Sequence, residues 1–345
     1  MASFIFITGT VRTSFKRTAM SILNPTLART YSRLGQRGAI FGMAALEAAE
    51  SDPKLMILTA DLASLSGLDR YINKNPQQFL NIGIAEQNML GIAAGLSAEG
   101  YHPIVTTYAT FITMRSCEQI RHYLGYMGLK VIVVGSGAGL IQAYSGNTHY
   151  SIEDLSIIRA IPNVTILSPA DAGSAVKAFE AALSHPQSVY IRLTGGLNCP
   201  VVYKDDFNFT IGKAITMKEG ADIILFATGV MVSQALNVAD ILAEQNISVK
   251  VIDVHTIKPL DKHIITDNRS CNLYVTIEEH NIIGGLGGAI AEAISEYGSC
   301  TPLLRLGIHD TFNLAGDYNN LLEQNRLTPE HIVEDILQKY KSLVK

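Results

Sequence analysis

The chain is poor in the features that would mark several classes of protein. Its four cysteines, Cys117, Cys199, Cys271 and Cys300, lie far apart with no CxxC pair. That spacing indicates neither a zinc site nor a disulfide framework and suits a reducing cytoplasm. No run of about 18 apolar residues occurs, as a membrane-spanning helix would need. The net charge of −4 is made of scattered side chains, with no basic stripe for a nucleic-acid backbone and no acidic tail. Nucleic acid and membrane are therefore excluded as expected partners, and small-molecule chemistry is the expected activity. Residues 1–36 lack acidic side chains and carry Arg12, Lys16, Arg17, Arg29 and Arg33. This composition is shared by organelle transit peptides. The segment is read as a basic N-terminal arm, with Met20 as an internal start, and is kept out of the fold argument.

What the chain does have is 345 residues, enough for two domains with substantial cores. From Arg37 onward, short apolar runs alternate with amphipathic stretches, the pattern of βα units in a mainly parallel sheet. Strands are expected at 55–59, 79–84, 103–108, 131–135, 164–168 and 189–193, with helices at 38–50, 86–99, 113–126, 152–160 and 172–184. Asp171 stands where it would cap the last of these helices. Between 196 and 212 the pattern breaks into Gly, Pro, Asp and Asn, which marks a linker. A second unit follows, with strands at 223–227, 249–254, 273–277 and 303–306 and helices at 230–244, 287–296 and 329–340. The expected fold is two parallel-sheet α/β domains, 37–195 and 213–345.

Asn81-Ile82-Gly83-Ile84-Ala85-Glu86-Gln87-Asn88 places a carboxylate where a strand ends and a helix begins. In a parallel sheet that edge is where ligands bind. A glutamate in a helix's first turn is also favoured by the helix dipole alone. Phe111 reads either as a stacking platform or as a strand-end core aromatic, with Tyr108 its companion. His149, in a loop before the next helix, reads as a general acid/base or as a surface histidine. The glycines at 135, 137 and 139 follow a strand, but position 140 is leucine, so the dinucleotide-binding fingerprint fails.

Residues 83–88 resemble the GIxEQ/H segment of transketolases and deoxyxylulose-phosphate synthases, whose glutamate hydrogen-bonds N1′ of the thiamine aminopyrimidine. Collinear with it, Thr107-Tyr108-Ala109-Thr110-Phe111 is similar to the family's pyrimidine-packing segment, and Gly146-Asn147-Thr148-His149 to its GxTHQ loop. Further on, Ala227-Thr228-Gly229, residues 256–261 and Glu278-Glu279-His280 resemble the transketolase C-terminal domain; His280 is read as structural or interfacial. The resemblance implies the pyrimidine-binding and C-terminal domains of a thiamine-diphosphate enzyme that transfers a ketol or acyl unit to an aldehyde-type acceptor in carbohydrate metabolism. It implies Glu86 and His149 as catalytic, and Glu86, Phe111, Tyr108 and Ile84 as cofactor-binding. Arg37, Arg115, Ser145 and Arg192 are the implied substrate contacts.

The family's Gly-Asp-Gly…Asn segment, which holds the diphosphate through Mg2+ or Ca2+, has only a near match here in Gly316-Asp317-Tyr318-Asn319. The resemblance thus implies no metal ligand on this chain, and a split enzyme whose N-terminal subunit carries that site, in a two-plus-two heterotetramer. The β subunit of a 2-oxo-acid dehydrogenase and a deoxyxylulose-type synthase are rival enzymes, and a non-catalytic scaffold is a rival of another class. Gly137 and Ser145 stand where transketolases carry a histidine and an aspartate facing the donor sugar, and the phosphate-binding arginine expected after strand 189–193 falls in Gly195-Gly196. These departures imply a substrate other than the usual pentose and hexose phosphates, deoxy, nucleotide-linked or otherwise modified.

Overall fold

The structure, a computed structural model, describes residues 22–343. Short apolar-rich runs form the strands, the central ones buried on both faces, as expected where helices cover both sides of a parallel sheet, and edge strands such as Phe79–Asn81 and Ile215–Lys218 partly exposed. In the first domain these are β1 (Leu55–Thr59), β2 (Phe79–Asn81), β3 (His102–Tyr108), β4 (Ile132–Ser136), β5 (Val164–Leu167) and β6 (Ser188–Leu193). The second domain supplies β7 (Ile215–Lys218), β8 (Ile223–Ala227), β9 (Val249–Asp253), β10 (Thr256–Lys258), β11 (Leu273–Asn281) and β12 (Leu303–Ile308). One sheet has the order β10-β5-β6-β4-β3-β1-β2 and the other β12-β11-β8-β9-β7. All pairings are parallel except those of β7 and β10, which close an edge of each sheet antiparallel. β10 belongs by sequence to the second unit yet pairs with β5, so one strand crosses from the second domain into the first sheet.

The N-terminal arm corrects the sequence reading. Residues 25–36 lie within the helix Pro25–Ala39, capped by the Asn24 side chain on the N–H groups of Thr26 and Leu27. Leu23, Ala28 and Tyr31 are buried, and this helix packs on the helix Ala172–Ser184. The capping asparagine followed by proline is the local start signal, hidden by a composition shared with residues 1–21, which lie outside the described residues. The linker is likewise fastened down. Asp171 caps the helix Ala172–Ser184 through Oδ1 on Ser174 N, and its Oδ2 accepts from Val202 N and Tyr203 N at 2.8 and 2.9 Å.

The expected helix at 113–126 is broken. A π-helical turn at Phe111–Arg115 is followed by Ser116 at φ −109°, ψ 20°, then by a short helix and a second π-helical stretch, Ile120–Tyr126. Wide turns of this kind re-aim side chains and recur at functional sites.

Candidate active site

The strand order of the first sheet reverses between β1 and β3, the switch point at whose C-terminal strand ends an open α/β sheet forms its ligand crevice. Gly83, at φ +75°, turns the chain out of β2, which ends earlier than the periodicity predicts, and the helix Glu86–Ala98 starts directly after it. This delivers Glu86 into the crevice with 5% of its side chain exposed. From the end of β3 come Tyr108 and, on the π-helical turn, Phe111 and Arg115. The Arg115 guanidinium lies 3.9 Å from the Phe111 ring centroid and donates Nη1–H to Glu86 Oε1 at 3.0 Å. Gln87 Nε2 donates to the Arg115 carbonyl at 2.9 Å and fixes that turn against the helix.

His149 completes an aromatic cluster. Its ring is 5.2 Å from Phe111 and 5.9 Å from Tyr108, both edge-on, and Thr148 Oγ1 lies 2.9 Å from Nδ1. Arg37 reaches the same cluster from the helix Pro25–Ala39; burial lowers its pKa, and a hydrogen bond with the Tyr108 hydroxyl opposes that shift. Glu86, Phe111, Tyr108, His149, Arg115 and Arg37 are therefore brought together. Ile84 is 76% exposed at the mouth, and Ser145 lies exposed on the His149 loop.

Arg192 is placed elsewhere than the sequence reading put it. It is 1% exposed, its Nε donates to Asp154 Oδ2 at 2.8 Å, and its Nη2 donates to the Glu279 and Ser151 carbonyls. With Nε and Nη2 engaged inside the protein and 1% of the residue exposed, the guanidinium serves the packing between the domains. His280 is fully buried, its Nδ1 2.6 Å from the Asn281 carbonyl, and burial pulls its pKa down to about 4 against the opposing pull of Asp154. Burial pushes the carboxyls of Glu278 and Glu279 up to about 7. Asp317, in the near match to a metal motif, caps the helix Tyr318–Gln324 by accepting from Asn319 N at 2.9 Å.

The positions where the chain departs from the family pattern are built into the packing. Gly137 has φ +67°, and a Cβ there would overlap the Gln142 side chain. A Cβ at Gly195 would stand 2.9 Å from Gln36 Cδ, and Gln36 Oε1 accepts the Gly195 N–H at 2.6 Å. Gln36 is the residue the sequence reading missed: it fills the space beside Gly195, and it lay inside the segment excluded from the fold.

The fold and this crevice define a two-domain α/β chain with a buried carboxylate and aromatic cluster at a sheet's switch point. Residues 36–199 match the transketolase pyrimidine-binding domain and residues 212–332 the transketolase C-terminal domain. The chain belongs to the transketolase family, whose members use thiamine diphosphate. It is 40% identical over 292 residues to a 6-deoxy-6-sulfo-D-fructose transketolase subunit of Clostridium sp. (strain MSTE9), covering 84% of this chain and 89% of that one. It is 34% identical over 305 residues to 1-deoxy-D-xylulose-5-phosphate synthase of Caldanaerobacter subterraneus subsp. tengcongensis, covering 88% of this chain but 49% of the synthase. A solved structure described as a split gene transketolase, inactive β4 tetramer, superposes with a TM-score of 0.82 at 35% identity over 90% of this chain and 99% of that one.

Proposed function

We propose that this chain is one subunit of a two-chain transketolase-type enzyme, supplying the carboxylate and aromatic wall for the cofactor's pyrimidine while a partner chain supplies the diphosphate and metal site. The carrying observation is the Glu86–Arg115–Phe111 arrangement. A buried carboxylate and a flat ring already hold a planar, N–H-bearing cation between them, the geometry that an aminopyrimidine protonated at N1′ also satisfies. Among the described residues Arg115 is the one hydrogen-bond partner of the Glu86 carboxylate, which leaves Oε2 open to a second donor.

Thiamine diphosphate, when bound, supplies the electron sink of the transfer. Glu86 would hold a proton at N1′, Phe111 would stack on the pyrimidine and Ile84 would cover it from the mouth. Such stacking is worth about 0.5–1.5 kcal/mol beyond area burial. His149, edge-on to Phe111 and Tyr108, would hold or move a proton at the substrate oxygens, and Arg37, beside Tyr108, would donate hydrogen bonds to the substrate. With the metal ligands on a partner, the chain alone should bind the cofactor poorly. Titration calorimetry of thiamine diphosphate with magnesium into the isolated chain is expected to give no measurable heat, and saturable binding only after the partner is added. Tight binding without a partner would overturn the two-chain reading.

For the substrate we propose a sugar bearing an anionic group other than phosphate. The resemblance puts glycine near the place of the family's phosphate-binding arginine, and Gln36 packs against Gly195 there. An arginine–phosphate fork is a strong, directional contact whose loss is felt by phosphorylated ligands. A phosphate monoester carries a charge of about −1.5 to −2 near neutral pH, a sulfonate only −1, so a site with fewer cations suits the latter. The relative named for a sulfosugar supports the same choice. Steady-state kinetics of the assembled enzyme should give 6-deoxy-6-sulfofructose a kcat/KM at least tenfold above those of xylulose 5-phosphate and ribose 5-phosphate. Values of about 10⁴ M⁻¹s⁻¹ or more for the two phosphates, in the common enzyme range, would defeat the proposal. The synthase relative keeps a second reading in play, which release of carbon dioxide from pyruvate would favour.

A further inference from the structure

We infer that Glu279, in the second domain, is a positioning residue for His149, its side chain holding the outgoing stem of the loop that carries it. This rests on the proposed role of His149. The loop leaves β4 and closes on itself at a neck where Gly139 N–H donates to the Ser151 carbonyl at 2.8 Å and Ser151 N–H returns the bond at 3.1 Å. Beyond that neck the stems are anchored by buried Leu140 and Tyr150, while Tyr144, Ser145, Asn147 and Thr148 at the tip are exposed.

β11 supplies the hydrogen-bond partners that fix the stems. Glu279 Oε1 accepts the buried Leu140 N–H at 2.5 Å on the outgoing stem, and Oε2 accepts the Tyr318 hydroxyl at 2.6 Å, which keeps the carboxyl group from swinging away. On the returning stem the Glu279 carbonyl and the Ser151 carbonyl share Arg192 Nη2, at 2.9 and 3.2 Å, and Arg192 is itself fixed on Asp154. Just past Ser151, the Ile152 carbonyl accepts Asn281 N–H at 2.9 Å. At the tip, Asn147 Nδ2 donates to the Asn313 carbonyl at 2.6 Å.

Gly139 fits this arrangement, since it has φ +70° and a Cβ there would overlap Glu279 Oε1. The second domain thus acts on the crevice from behind. It touches none of Glu86, Phe111 or Tyr108 through Glu279, yet it fixes the loop from which His149 reaches them. A side chain held through such a supporting contact loses its productive geometry when the contact is removed.

Amide hydrogen exchange on the full chain, alone and assembled with its partner, tests the inference beside steady-state kinetics. In Glu279→Ala, exchange across residues 137–150 should rise at least tenfold more than in the rest of the chain, because the Leu140 N–H loses its acceptor. In the assembled enzyme kcat should fall more than tenfold with the KM for thiamine diphosphate unchanged. Glu279→Gln, which keeps an acceptor for Leu140 N–H, should restore both to within about threefold. Tyr318→Phe, a milder change, should speed exchange at the outgoing stem even if the alanine variant does not fold. Added to His149→Ala, Glu279→Ala should cause no further loss of kcat, the signature of residues acting as one unit. Unchanged loop exchange in Glu279→Ala or Tyr318→Phe, or a glutamine variant as impaired as the alanine one, overturns the positioning role. Full activity of His149→Ala instead defeats the reading of His149 and leaves the exchange result to stand on its own.

Discussion

Replacement of Glu86 by alanine or glutamine is expected to lower kcat of the enzyme assembled with the proposed partner chain by about 10²–10⁴-fold, the range removed with a proton-handling side chain, while the chain stays folded. The two effects separate because of where Glu86 sits. Its contribution to stability is a first-turn carboxylate at the N-terminus of the helix Glu86–Ala98 and one ion pair to Arg115, whose side chain is 48% exposed. A carboxylate at a helix N-terminus contributes about 0.3–1 kcal/mol and an exposed ion pair about 0.2–1 kcal/mol. Neither loss unfolds a domain of this size. Thermal unfolding of the variant chain with turnover of its complex makes the comparison. A folded Glu86→Ala variant with undiminished turnover would leave the chain a non-catalytic scaffold that has kept the fold.

The largest loss of stability is expected at Arg192. Arg192 and Asp154 are both fully buried, Nε to Oδ2 at 2.8 Å, and Tyr190 OH donates to the same carboxylate oxygen at 2.7 Å. Arg192→Met leaves the Asp154 carboxylate without its cation in a low-dielectric interior, a loss of about 3–5 kcal/mol. For domains of about 150–250 residues this corresponds to a fall in Tm on the order of 10 °C. Arg192→Met combined with Asp154→Leu should recover much of the loss, since an apolar pair of similar volume replaces a buried ion pair at little or no cost. Denaturant unfolding of the single and double variants measures both. A substrate-contacting arginine would behave otherwise, raising KM with little change in stability, so the KM of the assembled enzyme measured beside unfolding separates the two roles.

The parts of the fold written locally could be read from the chain. Val131, Ile132, Val133 and Val134 are an apolar run that can only be a buried strand or a core helix, and its length and β-branching choose the strand. β7 and β10 escaped because three or four residues at a sheet edge carry no periodicity; Thr256-Ile257-Lys258 is a strand only because β5 offers it a partner. The break at Ser116 escaped for a related reason. The apolar spacing from 113 to 126 fits a helix, and the π-helical turns that bring Arg115 over Phe111 leave no mark in composition.

The sequence by itself determined that a carboxylate stands between the end of a strand and the first turn of a helix in Asn81-Ile82-Gly83-Ile84-Ala85-Glu86, and that an aromatic pair and a loop histidine follow in family order. Those are statements about neighbours in the chain, and hydrophobic periodicity with turn chemistry is enough to make them. Only the tertiary structure decided which distant group each side chain meets. Arg115 finds Glu86 across 29 residues, Arg192 finds Asp154 across 38, and Glu279 finds Leu140 N–H across 139. Arginine and glutamate look alike in sequence whether they face water, substrate or each other. Periodicity fixes which face of an element is covered, whereas the identity of what covers it depends on how separate elements pack.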